Sequence, residues 1–197
     1  MGVSKRISRA TRLHLLPSGG GEHYQVANYG LGGFYNHHPD PHLWHHPEKL
    51  RDMDEFTRGQ EVMTGDRVAT FMGYLSNTEL GGATAFPNAG LAVEAEAGSA
   101  VFWWNLHTNG LLNPETLHGG CPVVVGSKWI TNKWVGWKHQ QLKMPCTRER
   151  KGWDKHPPLD NTMCSGDTGR QRCSLDNNVL YQSQDYYAHL KQFSPDF

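Results

Sequence analysis

Between residues 67 and 137 the chain runs in short β-branched and aromatic stretches punctuated by glycine and proline. That pattern admits few folds. Residues 67–76 (RVATFMGYLS) read as a strand, Gly81 and Gly82 turn into a short run at 83–86, and Pro87 closes it. Runs at 91–94 and 99–106 (SAVFWWNL) follow, with Gly98 between them, and then come 117–118, 123–125 and 128–137 (KWITNKWVGW). Upstream, 23–29 (HYQVANY) alternates well enough for one more strand before the glycines at 30, 32 and 33. These runs are short for helices and regularly punctuated, which predicts a mainly β sandwich or barrel.

Three segments lie outside that series. Residues 1–22 are a basic lead-in, a short helix or irregular, broken by Gly19, Gly20 and Gly21. They lack the apolar core of a secretory signal. Residues 36–66 are rich in His, Pro, Asp and Glu with little apolar periodicity; they read as a long loop with one helical turn near 48–53. From Met144 onward the composition turns polar, so 147–197 read as an irregular tail, with a short amphipathic helix conceivable at 182–193.

Lys+Arg and Asp+Glu each total 19, so the net charge is zero and no global field favours nucleic acid. No stretch of about 18 apolar residues is present, so no membrane-spanning helix is expected. Cys121, Cys146, Cys164 and Cys173 form neither a CxxC pair nor a zinc ribbon. Two disulfides in three connectivities, or four free thiols, fit the spacing.

The chemistry concentrates in His38-Pro39-Asp40, in His118, and in Lys128 ten positions later. Side chains at i and i+2 of an extended segment point the same way, so His38 and Asp40 can approach one ion. Two imidazoles and a carboxylate suit one face of a ferrous ion, with the other positions open. His37, His42, His45 and His46 surround the motif. His37 or His42 as the ligand, and adventitious zinc or nickel binding, stay open alternatives. An inward lysine in a barrel needs an anion, because a buried unpaired charge is costly. Lys128 would meet the far carboxylate of an iron-chelating acid. Its rival Lys133 is five residues on and faces the other way. Tyr29 and Thr84 could add hydroxyl donors.

The stretches 25–30 (QVANYG), His38-x-Asp40, 67–70 (RVAT), 81–87 (GGATAFP), 100–103 (AVFW), His118 and 121–134 carry a further signal. In this order over residues 24–146 the chain resembles the catalytic domain of the prolyl 4-hydroxylases, most closely that of the collagen prolyl 4-hydroxylase alpha subunit. The resemblance implies a double-stranded β-helix (jelly-roll) core at 23–146, short at its N-terminus. It implies that His38, Asp40 and His118 bind Fe(II). It implies that Lys128, with Tyr29 and Thr84, binds 2-oxoglutarate, and that Tyr35, Arg67 and Trp134 line the peptide-proline groove. It also implies a Cys121–Cys146 disulfide, the endoplasmic reticulum lumen, ascorbate as the reductant, and protein disulfide isomerase as a partner subunit. The implied reaction hydroxylates C4 of peptidyl proline in procollagen-like chains as 2-oxoglutarate is converted to succinate and CO2. Pro39 departs from the family, which usually has an aromatic residue there, and Pro41 follows the aspartate. Two other readings stand beside this one: a truncated, non-catalytic product that keeps the metal motif, and a related dioxygenase with a non-collagen substrate.

Overall fold

The computed structural model describes residues 2–15, 20–42, 49–142 and 144. The chain opens with helix α1 (Val3–Thr11), followed by strands β1 (Gln25–Tyr29) and β2 (Tyr35–His38). Two helices come next, α2 (Lys49–Asp52) and α3 (Glu55–Thr64), and then β3 (Arg67–Tyr74). Short strands β4 (Leu80–Gly81), β5 (Thr84–Phe86) and β6 (Leu91–Val93) lead to β7 (Ala100–Trp104). A 3-10 turn at Pro114–Thr116 precedes β8 (His118–Gly120), β9 (Val123–Val125) and β10 (Lys128–Gly136).

One sheet has the order β1-β10-β3-β7, the other β2-β8-β5-β6, and β4 pairs with β9 at one end. All the pairings are antiparallel. The sheets face each other across Met72, Tyr74, Val101, Trp103 and Ile130 from the first and Phe86 from the second. This is a mainly β sandwich, as the punctuated runs predict, and it has the jelly-roll form that the resemblance implies. Strand bounds agree with the sequence reading to within a few residues.

The lead-in does more than the sequence indicates. Ile7, Leu13 and Leu15 are buried in one cluster with Val68 and Ala69 of β3, Val135 of β10 and Met144. Burying each such side chain stabilises by roughly 1.5–3 kcal/mol. Gln140, fully buried, makes two hydrogen bonds of 2.8 Å to the backbone of His14, one accepted and one donated. The segment is therefore packed into the core rather than laid on the surface.

The 36–66 loop is also corrected. His37 and His38 end a strand, and α3 runs ten residues where only one turn near 48–53 was expected. Its start follows Asp54 and its end meets Gly65 at φ +70, a stop that glycine adopts without strain. The apolar residues Phe56, Val62 and Met63 point to solvent, so the helix carries none of the core periodicity that pattern reading relies on. Among the described residues no helix is long and apolar enough to cross a membrane. His45, His46, Cys146, Cys164, Cys173 and the 147–197 tail lie outside the described residues.

Candidate active site

Strands β2 and β8 create the site by their register. His38 lies directly opposite His118. Gly119 permits the approach: a Cβ there would stand 2.9 Å from the Tyr35 carbonyl oxygen and 2.8 Å from the His37 ring. Pro39 follows the last paired residue, so its missing N–H interrupts no ladder bond. Asp40, two residues beyond His38, is 3% exposed and turns its carboxylate between the two rings. Its Oδ1 is 3.8 Å from His38 Nε2 and its Oδ2 is 3.8 Å from His118 Nε2.

Each imidazole is held in one tautomer. His38 Nδ1 donates to the Asn36 carbonyl at 2.8 Å, and His118 Nδ1 donates to the Thr116 carbonyl at 2.9 Å. A carbonyl oxygen only accepts, so both Nδ1 atoms carry the proton and both Nε2 atoms keep a lone pair for a metal. Burial lowers the His118 pKa, against the opposing pull of Asp40, which favours the neutral ring a metal requires. Trp103 and Phe86 flank that ring at 4.6 and 5.6 Å between centroids. Two imidazole nitrogens and one carboxylate oxygen within 4.8 Å of one another fit a divalent iron bound on one face. Among the described residues they form the one such cluster, without His37 or His42. His42 instead lines the cavity while its backbone N–H donates to Asp66.

A cavity of about 510 Å³ opens from this cluster between the sheets. Lys128, Ile130, Asn132 and Trp134 line it from alternate positions of β10. Lys128 is 2% exposed, and its Nζ donates to Thr84 Oγ1 at 3.1 Å. The Tyr74 hydroxyl donates to the same oxygen at 2.9 Å. The rings of Tyr29 and Tyr74 stand 5.6 and 5.7 Å from Nζ. Among the described residues no carboxylate pairs with Lys128, and burial pushes its pKa down to about 8. A buried ammonium in that state fits an incoming carboxylate, which would stabilise its charge and raise its pKa again. Thr84 thus contacts Lys128 directly, whereas Tyr29 contributes a ring face. Its hydroxyl pKa is raised, first by burial and then by Tyr35.

Lys133 faces away from the cavity. Its Nζ donates to the Glu22 carbonyl and lies 4.8 Å over the Tyr24 ring. Tyr35 is exposed, and its ring meets that of His38 edge to face with 4.6 Å between centroids. Arg67 stacks on Trp134 at 3.7 Å, binds Glu22 through Nε at 2.5 Å and Nη2 at 2.8 Å, and reaches the Asp40 carbonyl at 3.3 Å. Tyr35, Arg67 and Trp134 all line the cavity. Cys121 is half-buried with its thiol pKa raised by burial; its expected partner lies outside the described residues.

Sequence reading missed Tyr74, Glu22, Thr70 and Asn105. Period-two counting along β3 could have grouped Thr70, Met72 and Tyr74 on one face. Nothing local connects Glu22 with Arg67.

Residues 24–136 match the 2OG-Fe(II) oxygenase superfamily. The chain is 43% identical over 145 residues to prolyl 4-hydroxylase subunit alpha-3 of Homo sapiens, covering 74% of this chain and 25% of that one. It is 41% identical to subunit alpha-1 of Homo sapiens over the same shares. The chain thus spans about a quarter of the length of these relatives. The viral collagen prolyl hydroxylase of Paramecium Bursaria Chlorella virus-1, solved as a 2-oxoglutarate complex, is 33% identical with a TM-score of 0.47, over 59% of each chain. With more than half of its residues inside the family match and a two-histidine, one-carboxylate donor set assembled between its sheets, the chain belongs to the 2OG-Fe(II) oxygenase superfamily.

Proposed function

We propose that the chain carries the catalytic centre of an Fe(II)- and 2-oxoglutarate-dependent hydroxylase acting on C4 of peptidyl proline, in procollagen-like chains. The observation that carries this reading is one cavity lined together by the His38, Asp40 and His118 cluster, by Lys128 and Thr84, and by Tyr35 and Trp134. Similarity to the alpha-3 and alpha-1 subunits selects proline among the substrates such a cavity could take.

In this reading His38, Asp40 and His118 hold the metal, and Lys128 anchors the distal carboxylate of 2-oxoglutarate. Bound Fe(II) and 2-oxoglutarate supply the oxidising power that transfers one atom of O2 to the substrate. The protein's own work is orientation. Tyr35 and Trp134 offer ring faces to a proline ring. Arg67, already held by Glu22 and Asp40, braces Trp134 at the groove. Trp103 and Phe86 exclude water beside His118. We further propose, on the resemblance, ascorbate as reductant, a Cys121–Cys146 bridge, residence in the endoplasmic reticulum lumen and protein disulfide isomerase as partner.

The test incubates the protein with Fe(II), 2-oxoglutarate, ascorbate and a Pro-Pro-Gly repeat peptide. Mass spectrometry should find one added oxygen on proline, lost in His118→Ala. Folded, iron-binding protein that leaves the peptide unchanged would overturn the proline assignment. A chain that cannot bind iron would favour the non-catalytic reading.

A further inference from the structure

The metal carboxylate has a partner that no sequence motif marks. Thr70 lies on the cavity face of β3, and its Oγ1 donates to Asp40 Oδ2 at 2.5 Å. The amide of Asn105, just past the end of β7, donates through Nδ2 to Thr70 Oγ1 at 2.9 Å. All three side chains are buried: Asp40 is 3% exposed, Thr70 1% and Asn105 1%. Asn105 is itself fixed through its backbone, whose N–H donates to the Val68 carbonyl and whose carbonyl accepts from Asn113, both at 2.9 Å.

The direction of these bonds follows from chemistry. An ionised carboxylate only accepts, so the hydroxyl proton must point at Asp40. The Thr70 oxygen then has only lone pairs to offer, which demands a donor from Asn105. The reversed amide would draw the hydroxyl proton to Asn105 and leave two oxygens facing each other at 2.5 Å. One assignment satisfies the chain: Asn105 Nδ2–H to Thr70 Oγ1–H to Asp40 Oδ2.

We propose that Thr70, oriented by Asn105, is a positioning residue that holds Asp40 in a single rotation, so that the carboxylate takes one coordination position on the metal and leaves the others open. The proposal rests on the metal-site reading of His38, Asp40 and His118. With the hydroxyl on Oδ2, rotation of the carboxylate costs a buried charge-assisted hydrogen bond. Thr70→Val keeps the shape and removes the donor, freeing Oδ2 to swing toward the ion.

The test titrates the whole chain with Co(II) alone, following calorimetric affinity and the visible d–d absorption, which reports coordination number. Thr70→Val should bind Co(II) about 10- to 100-fold more weakly with an altered d–d band. Thr70→Ser, which keeps the hydroxyl, should restore both. Asn105→Asp, nearly isosteric but without the donor, should weaken binding as well, and it decides the matter if Thr70→Val does not fold. Unchanged Co(II) affinity and spectrum in folded Thr70→Val, or in Asn105→Asp, overturns the proposal. So does an equal loss in Thr70→Val and Thr70→Ser, which would point to packing. Wild-type protein that fails to bind Co(II), or His118→Ala that binds it equally well, sinks the metal-site reading and this proposal with it. Binding lost in His118→Ala but kept in Thr70→Val sinks this proposal alone.

Discussion

Lys128 and Lys133 stand on the same strand, five residues apart, and both are buried, at 2% and 7% exposure. Their surroundings differ in kind. Lys133 gives its charge to the Glu22 carbonyl, with the Tyr24 ring over it and the Glu22 carboxylate nearby. Lys128 meets one hydroxyl, two aromatic rings, the nearby Cys121 thiol and an open cavity. The first lysine is finished by the fold. The second has no carboxylate beside it among the described residues, and the proposed function gives it one in 2-oxoglutarate. Burial alone therefore does not mark a functional lysine; the identity of what surrounds it does.

The sharpest way to break this contrast is to remove each charge. Lys128→Met should weaken 2-oxoglutarate binding about 10- to 100-fold, the value of one buried charge-assisted contact. Calorimetry with Mn(II) in place of iron reads this directly, and an unchanged affinity would deny Lys128 its role.

A second test uses pH. The ligand-free Lys128 has its pKa pushed down to about 8, and a bound carboxylate raises it again. Below pH 8 the lysine is already charged, so binding should vary little. Above it, binding must take up a proton, so affinity should fall by about tenfold near pH 9. Lys128→Met should lack this slope between pH 7 and 9. A wild-type profile equally flat over that range would contradict the lone-ammonium picture.

The smallest effect on the acid belongs to Lys133→Met. Its 2-oxoglutarate affinity should stay within about twofold, while its unfolding free energy drops by roughly 1–3 kcal/mol through the carbonyl left without a donor. Urea denaturation measures the second quantity. A loss of acid binding that matches Lys128→Met would erase the distinction between the two faces.

How much of this could be read from the chain varies by distance along it. Period-two alternation placed Lys128 and the opposite-facing Lys133 correctly, because a strand allows no other arrangement. His38 and Asp40 share one approach for a similar local reason. Helix α3 escaped notice because Phe56, Val62 and Met63 face solvent. The lead-in looked peripheral because Ile7, Leu13 and Leu15 find their partners Val68, Ala69 and Val135 only after the sheet has formed.

By itself, then, the sequence determined the runs that become strands, the face each residue of β10 takes, and the residue types able to hold a metal and an acid. The tertiary structure alone decided that His38 sits across from His118, that Thr70 caps Asp40 thirty residues away, and that Tyr74 shares Thr84 with Lys128. The reason is physical. Alternation is a property of a single strand's geometry, whereas register between distant strands depends on every turn between them and on the glycines that let two backbones approach.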